Sequence, residues 1–518
     1  MFDPEYWYSR KNHKYLQNID TFYYSVKLLE DFRRESDNLN VINVRKFVDD
    51  ISAEPEGTSV LFDVKNSLSS ERLKKDCVLY YKPGCFARFY NFRLTLPDKF
   101  DFFFAPVVPA SKQQDGLSLT SEIVIQIRSR YLWEKGCALC VKESFEYVKA
   151  FCAMFNLHIH DVKENRCDFC WHTNAIQSPD KFFRSDKLGD MFVTRLGTEK
   201  NDDGFKVRTV TTYKDKADPS IDYIAVGKRS DKIFLRIYNK AKEVVQEQYK
   251  PWFFYIWLYS GLISRYDMFV FEEAFKQHSW NYVDVARLKF ALEYLELEQN
   301  VITEINLLID PSVKTYNYKR IRVLADELTP KVTIILNVEF QCMRAFTRTC
   351  QLVPFKDNVG PLSRVLDFLD NRALFTEYIT GKTFRIVRPD SGDTNKSRRE
   401  DCDFWKRLRA CKAIDVYLDK HNLHLCRQYS SKLDLQIRKK KAVRAISSVA
   451  YAVTHDPDTS LYSDAAELLA MLNDNDLREL DLYKHILAKR HTEEIPPGII
   501  HYRKPYIVDQ RTGRRLSS

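Results

Sequence analysis

Long apolar runs are missing from this 518-residue chain. The longest, Trp252 to Ile263, covers about a dozen residues, well short of the roughly 20 that cross a bilayer. The opening MFDPEYWYSRKNHK lacks the short apolar core behind a basic start that a secretory signal requires, so the expected location is the cytoplasm. A glycine-rich phosphate loop, an internal repeat and a low-complexity tract are missing as well. The 12 cysteines are scattered and follow no secretory signal, which points to reduced thiols rather than a disulfide framework. What is present is a 44% hydrophobic, 29% charged chain with 34 Phe and 29 Tyr. That balance excludes a disordered tail, a collagen-like rod and a disulfide miniprotein, and the length predicts two or three globular domains.

The 81 Lys and Arg against 71 Asp and Glu leave a formal charge of +10, too small by itself to identify a polyanion ligand. Its location is more informative. Lys382 to Arg444 holds 18 Lys and Arg and 8 Asp and Glu, so this window carries the whole formal excess. Lys396, Arg398, Arg399 and the run Arg438, Lys439, Lys440, Lys441 have the character that phosphate-backbone contact requires, with Phe384, Phe404 and Trp405 interleaved as possible stacking platforms for single strands. A solvated helix face would read the same way.

Residues 1–115 are aromatic and mixed in charge, with hairpin-like alternation in VLYYKPGCFARFYNFRLTL and no assignable chemistry. SEIVIQIRS then puts Ile123, Ile125 and Ile127 on one strand face, and KESFEYVKAFCAMF has helical spacing through Phe145, Val148 and Phe155. LHIHD and RCDFCWH read as a pair of short strands, and DYIAVGKRSDKIFLRIYNK as a hairpin turning at GKRSD. An aromatic helical segment, about 245–285, precedes the strand KVTIILNVEFQ and a helix opened by Pro361 with Leu362, Val365, Leu366 and Leu369 on one face. The predicted class is α+β. Residues 413–495 read as a helical, basic region and 496–518 as a polar tail.

Strand alternation places Arg166, Asp168, Cys170 and His172 on one face of RCDFCWH, and Arg236, Tyr238 and Lys240 on one face of KIFLRIYNK. A phenol between two cations suits a phosphate and lowers the cost of a phenolate, the form in which tyrosine attacks phosphorus. In VTIILNVEFQ, Asn337, Glu339 and Gln341 share a face and supply a second carboxylate.

In order along the chain, RCDFCWH, GKRSDKIFLRIYNKAKE, NVEFQCMR and FRIVRPDSGDTNKSRREDCDFW resemble the replication initiation factor family, which comprises rolling-circle plasmid and phage initiators and related conjugative-element relaxases. The similarity covers residues 121–412, so a catalytic domain is expected over 116–412. The resemblance implies an antiparallel-sheet, nickase-like fold with helical flanking regions. It also implies an enzyme that cuts one strand at an origin through a tyrosine and Mg²⁺ or Mn²⁺, with origin duplex, single-stranded DNA and a host helicase as expected partners. Tyr238 is then the nucleophile, within a Y-x-K-x-x-E pattern completed by Lys240 and Glu243. Asp168 matches the family's Arg-x-Asp strand and Glu339 its Arg-x-Glu strand. Tyrosine attack leaves a phosphotyrosyl link to the 5′ side and a free 3′ hydroxyl, with Lys240 or Arg236 offsetting the developing charge.

On this resemblance the metal shell is Asp168, His172, Glu339 and Glu243, and Arg166 and Arg344 join the basic window in contacting DNA. The sequence departs from the family at His172, where an acidic residue is usual, and at Asn337, where an arginine is usual. ARLKFALEY, with Arg287 and Glu293, is a rival match to the Arg-x-Glu pattern, and Tyr378 a rival nucleophile. His158-Ile-His160 is the ligand triplet of the wider nickase superfamily, read here as accidental. Two further readings stay open: a non-nicking, sequence-specific DNA-binding initiator or regulator, and a zinc-stabilised interaction module built on the pairs Cys137/Cys140 and Cys167/Cys170.

Overall fold

The computed structural model describes residues 14–33, 36–62, 77–82, 90, 92–105, 121–183, 188–196, 198–200, 206–208, 210–214, 221–229, 231–246, 250–310, 316–389, 393–413, 507–508 and 515–516. The chain divides into two compact units, 1–347 with 354–418, and 348–353 with 419–518. In the second unit a two-stranded antiparallel ribbon pairs Ile507–Val508 with Arg515–Leu516. Arg438, Lys439, Lys440 and Lys441, and the helical region expected over 413–495, lie outside the described residues apart from Ala413.

The first unit is built on an eleven-stranded antiparallel sheet. Its strands are β1 (Tyr15–Leu28), β2 (Ser59–Phe62), β3 (Cys77–Tyr81), β4 (Phe92–Leu96), β5 (Phe100–Phe104), β6 (Ile123–Ile127), β7 (Ile159–Thr173), β8 (Val210–Lys214), β9 (Ile221–Val226), β10 (Ile233–Asn239) and β11 (Leu336–Met343). They lie in the order β8-β9-β10-β11-β7-β1-β6-β5-β4-β3-β2. The N-terminal segment, which carries no chemistry that sequence reveals, therefore supplies the strand β1 between β7 and β6. The class is α+β, as the alternation of patterns predicts.

Three sequence expectations change. LHIHD and RCDFCWH belong to one strand, β7, because β1 pairs along its whole length, from Tyr15 opposite Thr173 to Leu28 opposite Ile159, and carries the polar stretch between them. KVTIILNVEFQ becomes strand only at Leu336; Thr333 instead donates from its backbone to Asp267 Oδ1 at 2.7 Å and from its hydroxyl to Oδ2 at 2.9 Å. ARLKFALEY is helical. The expected hairpin stands: Ile224 opposes Ile237, and the turn is reached through Gly227 at φ 88°, a conformation that glycine adopts without steric cost.

Helices occupy both faces. α1 is Leu39–Ser52, α2 Ser129–Lys135 and α3 Cys137–Met154. Between the neighbouring strands β10 and β11 the chain inserts α4 (Lys240–Gln246), α5 (Trp252–Tyr259), α6 (Arg265–Lys276), α7 (Val283–Tyr294), α8 (Gln299–Ile309) and α9 (Tyr318–Leu328). The insert reaches well past the expected end near 285 and has its own core, including Phe254, Trp257, Phe271, Leu288 and Ile321. A capping box at Ser264 and Asp267 starts α6, satisfying otherwise orphaned backbone donors. Then follow α10 (Ser363–Asp370), α11 (Arg372–Tyr378) and α12 (Asp403–Ala410).

Alternation along the strands separates the two faces. Phe22, Phe169 and Phe340 point to the apolar side, where they meet Phe368 of α10, Phe375 of α11 and Trp405 of α12. Phe384 and Trp405, expected as nucleic-acid platforms, are fully buried in this packing. Among the described residues no helix is long and apolar enough to cross a membrane.

Candidate active site on the polar sheet face

The opposite face is polar where β10, β11 and β7 adjoin. Cross-strand register aligns Tyr223, Tyr238, Asn337, His172 and Leu16 in one row, Ala225, Arg236, Glu339, Cys170 and Asn18 in the next, and Phe234, Gln341, Asp168 and Thr21 in a third. Residues far apart in sequence thus become neighbours because each strand sends alternate side chains to this face.

Tyr238 is partly buried, and its hydroxyl has three partners. It donates to Glu339 Oε2 at 2.9 Å and accepts from Asn337 Nδ2 at 2.9 Å and Lys240 Nζ at 3.3 Å, which fills the capacity of a phenol. Asn337 Nδ2 also donates to Glu339 Oε2 at 3.1 Å, and the Arg236 guanidinium contacts Oε1 of the same carboxylate. Lys240, the first residue of α4, is fully buried, with Nζ 2.6 Å from Glu243 Oε2 and 3.8 Å from Asp20 Oδ2. Burial alone would favour a neutral Lys240, but the Tyr238 oxygen, Asp20 and Glu243 outweigh it and hold the ammonium well above its ordinary pKa.

Burial also raises the Tyr238 phenol well above its ordinary pKa, and the Glu339 carboxylate adds to that rise more than Lys240 opposes it. The expectation of a low-cost phenolate between two cations is therefore reversed. Arg236 is spent on Glu339, and the proton that Tyr238 would have to lose is held by a carboxylate poised to take it.

Asp168 is buried and bound by the Arg166 guanidinium, Nε to Oδ1 at 2.8 Å and Nη2 to Oδ2 at 2.5 Å. Burial pushes its carboxyl up to about 7, against the pull of Arg166. His172 is buried among Trp133, stacked at 4.8 Å, Phe253 and Trp257. Trp257 Nε1 donates to His172 Nδ1 at 3.1 Å, and since an indole can only donate, the neutral imidazole must carry its proton on Nε2. Nε2 has no hydrogen-bond partner among the described residues, and burial lowers the imidazole to about 3.

These donors do not fit a protein-held divalent ion. A metal needs an imidazole lone pair, yet Nδ1 of His172 is taken and Nε2 bears hydrogen. Asp168 and Glu339 are each compensated by a guanidinium, and Glu243 by Lys240. Among the described residues no group of three or more His, Cys, Asp or Glu side chains is placed to hold a metal ion.

The remaining expectations sort by position. Glu293 and Arg287 lie on α7, where Arg287 binds Asp284 at 2.7 Å and Asp326 at 2.9 Å, so only Glu339 adjoins Tyr238. Tyr378 stacks on Phe346 at 5.9 Å, within the packing on the other face of the sheet. His158 and His160 are exposed near the start of β7; His160 lies twelve residues before His172, about 40 Å at about 3.3 Å per strand residue. The sulfur of Cys140 donates to the Tyr131 carbonyl and that of Cys170 to the Asn18 carbonyl, both as buried thiols. Arg344 is tied to the Glu164 carbonyl at 3.0 Å, Arg399 to backbone carbonyls including that of Asp393 at 2.8 Å, and Lys396 to Asp190 at 3.4 Å, while Arg398 is exposed.

Sequence reasoning missed Asp20. A β-bulge between Ile19 and Thr21 takes it out of the ladder, and it accepts from Ser129 Oγ and from Trp133 Nε1 at 3.1 Å. Burial would raise its pKa, but Lys240, Lys250 and the Ser129 hydrogen bond carry it well below the carboxylate range. A lone acid in the middle of a long strand pattern, whose other charge is Lys27 near its end, was the available signal.

No family model matches this chain. No curated protein matches it either. Among solved structures it is similar to a rolling circle replication initiator protein from Geobacillus stearothermophilus, with 10% identity and a TM-score of 0.32 over 77% of this chain and 96% of that one.

Proposed function

We propose that this protein is a DNA replication initiator that binds an origin and breaks one strand through Tyr238, beginning rolling-circle replication or strand transfer. The observation that carries the reading is the hydrogen-bonded series Tyr238, Glu339, Arg236: a hydroxyl nucleophile, a carboxylate that holds its proton, and a guanidinium that orients the carboxylate. The four ordered sequence matches supply the substrate class.

In this mechanism the Tyr238 oxygen attacks the scissile phosphorus and its proton passes to Glu339. The new bond joins the phenolic oxygen to the 5′ phosphate, the bond from phosphorus to the 3′ oxygen breaks, and that oxygen leaves as a hydroxyl after taking a proton from water. Lys240, 3.3 Å from the phenolic oxygen, offsets negative charge as it develops. Asn337 holds phenol and carboxylate together. Attack by the free 3′ hydroxyl on the phosphotyrosine reverses the sequence and returns the proton to Tyr238.

The test is incubation with supercoiled DNA bearing the cognate origin, followed by a peptide map of any DNA adduct. Nicked circles with Tyr238 attached to the 5′ end are expected. Binding without nicking by the wild-type protein would favour the sequence-specific initiator or regulator that only binds.

A further inference from the structure

A cavity of about 400 Å³ opens between the start of β1, the loop after β7 and α12, within the size range of small-ligand sites. Its walls include the rings of Tyr15, Phe182 and Phe404 and the cations Lys181 and Arg407. The rings of Tyr15 and Phe182 meet Phe404 at 40° and 69°, at centroid distances of 6.2 and 5.6 Å, so neither lies flat against it. Both are only partly buried, and Lys181 and Arg407 are exposed. Lys181 and Arg407 outnumber the one acidic wall residue, Asp403, which also contacts Arg388 at 3.0 Å.

The rim is also preorganised. Asn174 accepts from the Lys14 backbone at 2.8 Å and donates to the Leu262 carbonyl at 3.1 Å. Gln177 donates to the Asn174 carbonyl at 2.6 Å and accepts from the Ile334 backbone at 2.9 Å. These bonds tie the loop to the sheet and to the helical insert before any ligand arrives.

We infer that this cavity takes one unstacked nucleotide of a single-stranded nucleic acid, its base against the aromatic rings and its phosphate on Lys181 and Arg407. The chemistry of the walls matches the two halves of a nucleotide, a planar π surface and an anion, and a base still paired in a duplex would not enter. Tyr15 opposes Thr173, which opposes Leu336, which opposes Asn239, so the cavity lies at the same strand end as Tyr238, but on the side of the sheet where α12 packs, opposite the face that carries the Tyr238 hydroxyl. Three strand spacings, about 14 Å, separate β10 from β1 across the sheet. A strand held at Tyr238 would reach the cavity by turning around this end of the sheet, which rests the inference on the proposed reading of that tyrosine.

The test measures binding of the full-length protein to a fluorescent single-stranded oligonucleotide, with abasic positions introduced one at a time. Phe182→Ala is expected to weaken binding about tenfold, the low end for losing one base stack. Arg407→Glu should weaken it and lower the salt slope by about one phosphate equivalent. One abasic position should weaken wild-type binding about tenfold and cost the Phe182→Ala protein nothing further. Wild-type affinity in both cavity variants, equal sensitivity with duplex DNA, or displacement of an aromatic peptide rather than a strand would overturn the inference. Because Arg407 is exposed, its variant separates lost binding from lost folding. Nicking by a wild-type protein whose cavity variants bind normally sinks the cavity alone, whereas cavity-dependent binding without nicking sinks the Tyr238 reading alone.

Discussion

The Tyr238 hydroxyl donates to Oε2 of Glu339, a residue 101 positions further along the chain, at 2.9 Å across the β10–β11 ladder. This bond keeps the phenol protonated at rest and names the group that would receive its proton.

Replacing that base isosterically should separate chemistry from binding. Glu339→Gln is expected to slow nicking by about 10²- to 10⁴-fold, the usual contribution of a positioned general base, while affinity for origin DNA changes less than about twofold. Tyr238→Phe should abolish the covalent adduct. Agarose-gel nicking and a binding titration on the same preparations decide it; a Glu339→Gln protein that nicks at the wild-type rate removes the base from the mechanism.

The guanidinium of Arg236 compensates a carboxylate that is 2% exposed. Arg236→Gln leaves that charge with neutral partners and should cost about 3 kcal/mol of unfolding free energy, whereas the double variant Arg236→Gln/Glu339→Gln should recover most of the loss. Denaturant titrations read both. Equal stability of the single variant and the wild type would mean that Glu339 relaxes toward solvent.

His172 makes acid sensitivity predictable. Its imidazole is held down to about 3 by burial, with Lys240 and Lys250 adding and Asp20 opposing, against an ordinary value of about 6.5. The folded state therefore binds fewer protons than the unfolded chain across that window. The resulting stability is fully present above about pH 6.5 and is lost as pH falls toward 3, on the order of 5 kcal/mol in all. His172→Gln, which still accepts from Trp257, should remove this acid-side loss, so that its stability rises relative to wild type as pH falls from about 6.5 to 4, a window in which Asp168, raised to about 7, titrates in both proteins. Parallel curves for the two proteins would refute the assignment.

Removal of divalent ions tests the donor geometry. With both carboxylates matched to guanidinium groups and His172 protonated on Nε2, nicking in excess chelator should stay within about threefold of the rate with Mg²⁺, since lysine and arginine supply the charge stabilisation. Loss by a hundredfold or more would show that DNA binding exchanges those guanidinium partners for an ion.

Much of the site was legible because strand periodicity is local. Arg236, Tyr238, Asn337 and Glu339 could be assigned to strand faces from alternation alone, and the structure places those faces on one side of the sheet. The fate of Glu293 was not legible: its segment has apolar positions that serve a helix as well as a strand, and tertiary packing of α7 chose the helix. The metal expectation depended on free lone pairs, and whether Trp257 or Arg166 occupies them is a matter of contacts between distant elements.

By itself, then, the order of residues determined the α+β class, the hairpin at Gly227 and which side chains share a strand face, since these follow from periodicities of two or 3.6 residues within a single element. Only the tertiary structure decided that the N-terminal segment supplies a strand inside the sheet, that Asp20 meets Lys240, that the Tyr238 hydroxyl donates a hydrogen bond to Glu339, and that Phe404 lines a cavity while Trp405 fills the core. Strand order and helix docking depend on burial summed over the whole unit, which no local pattern contains.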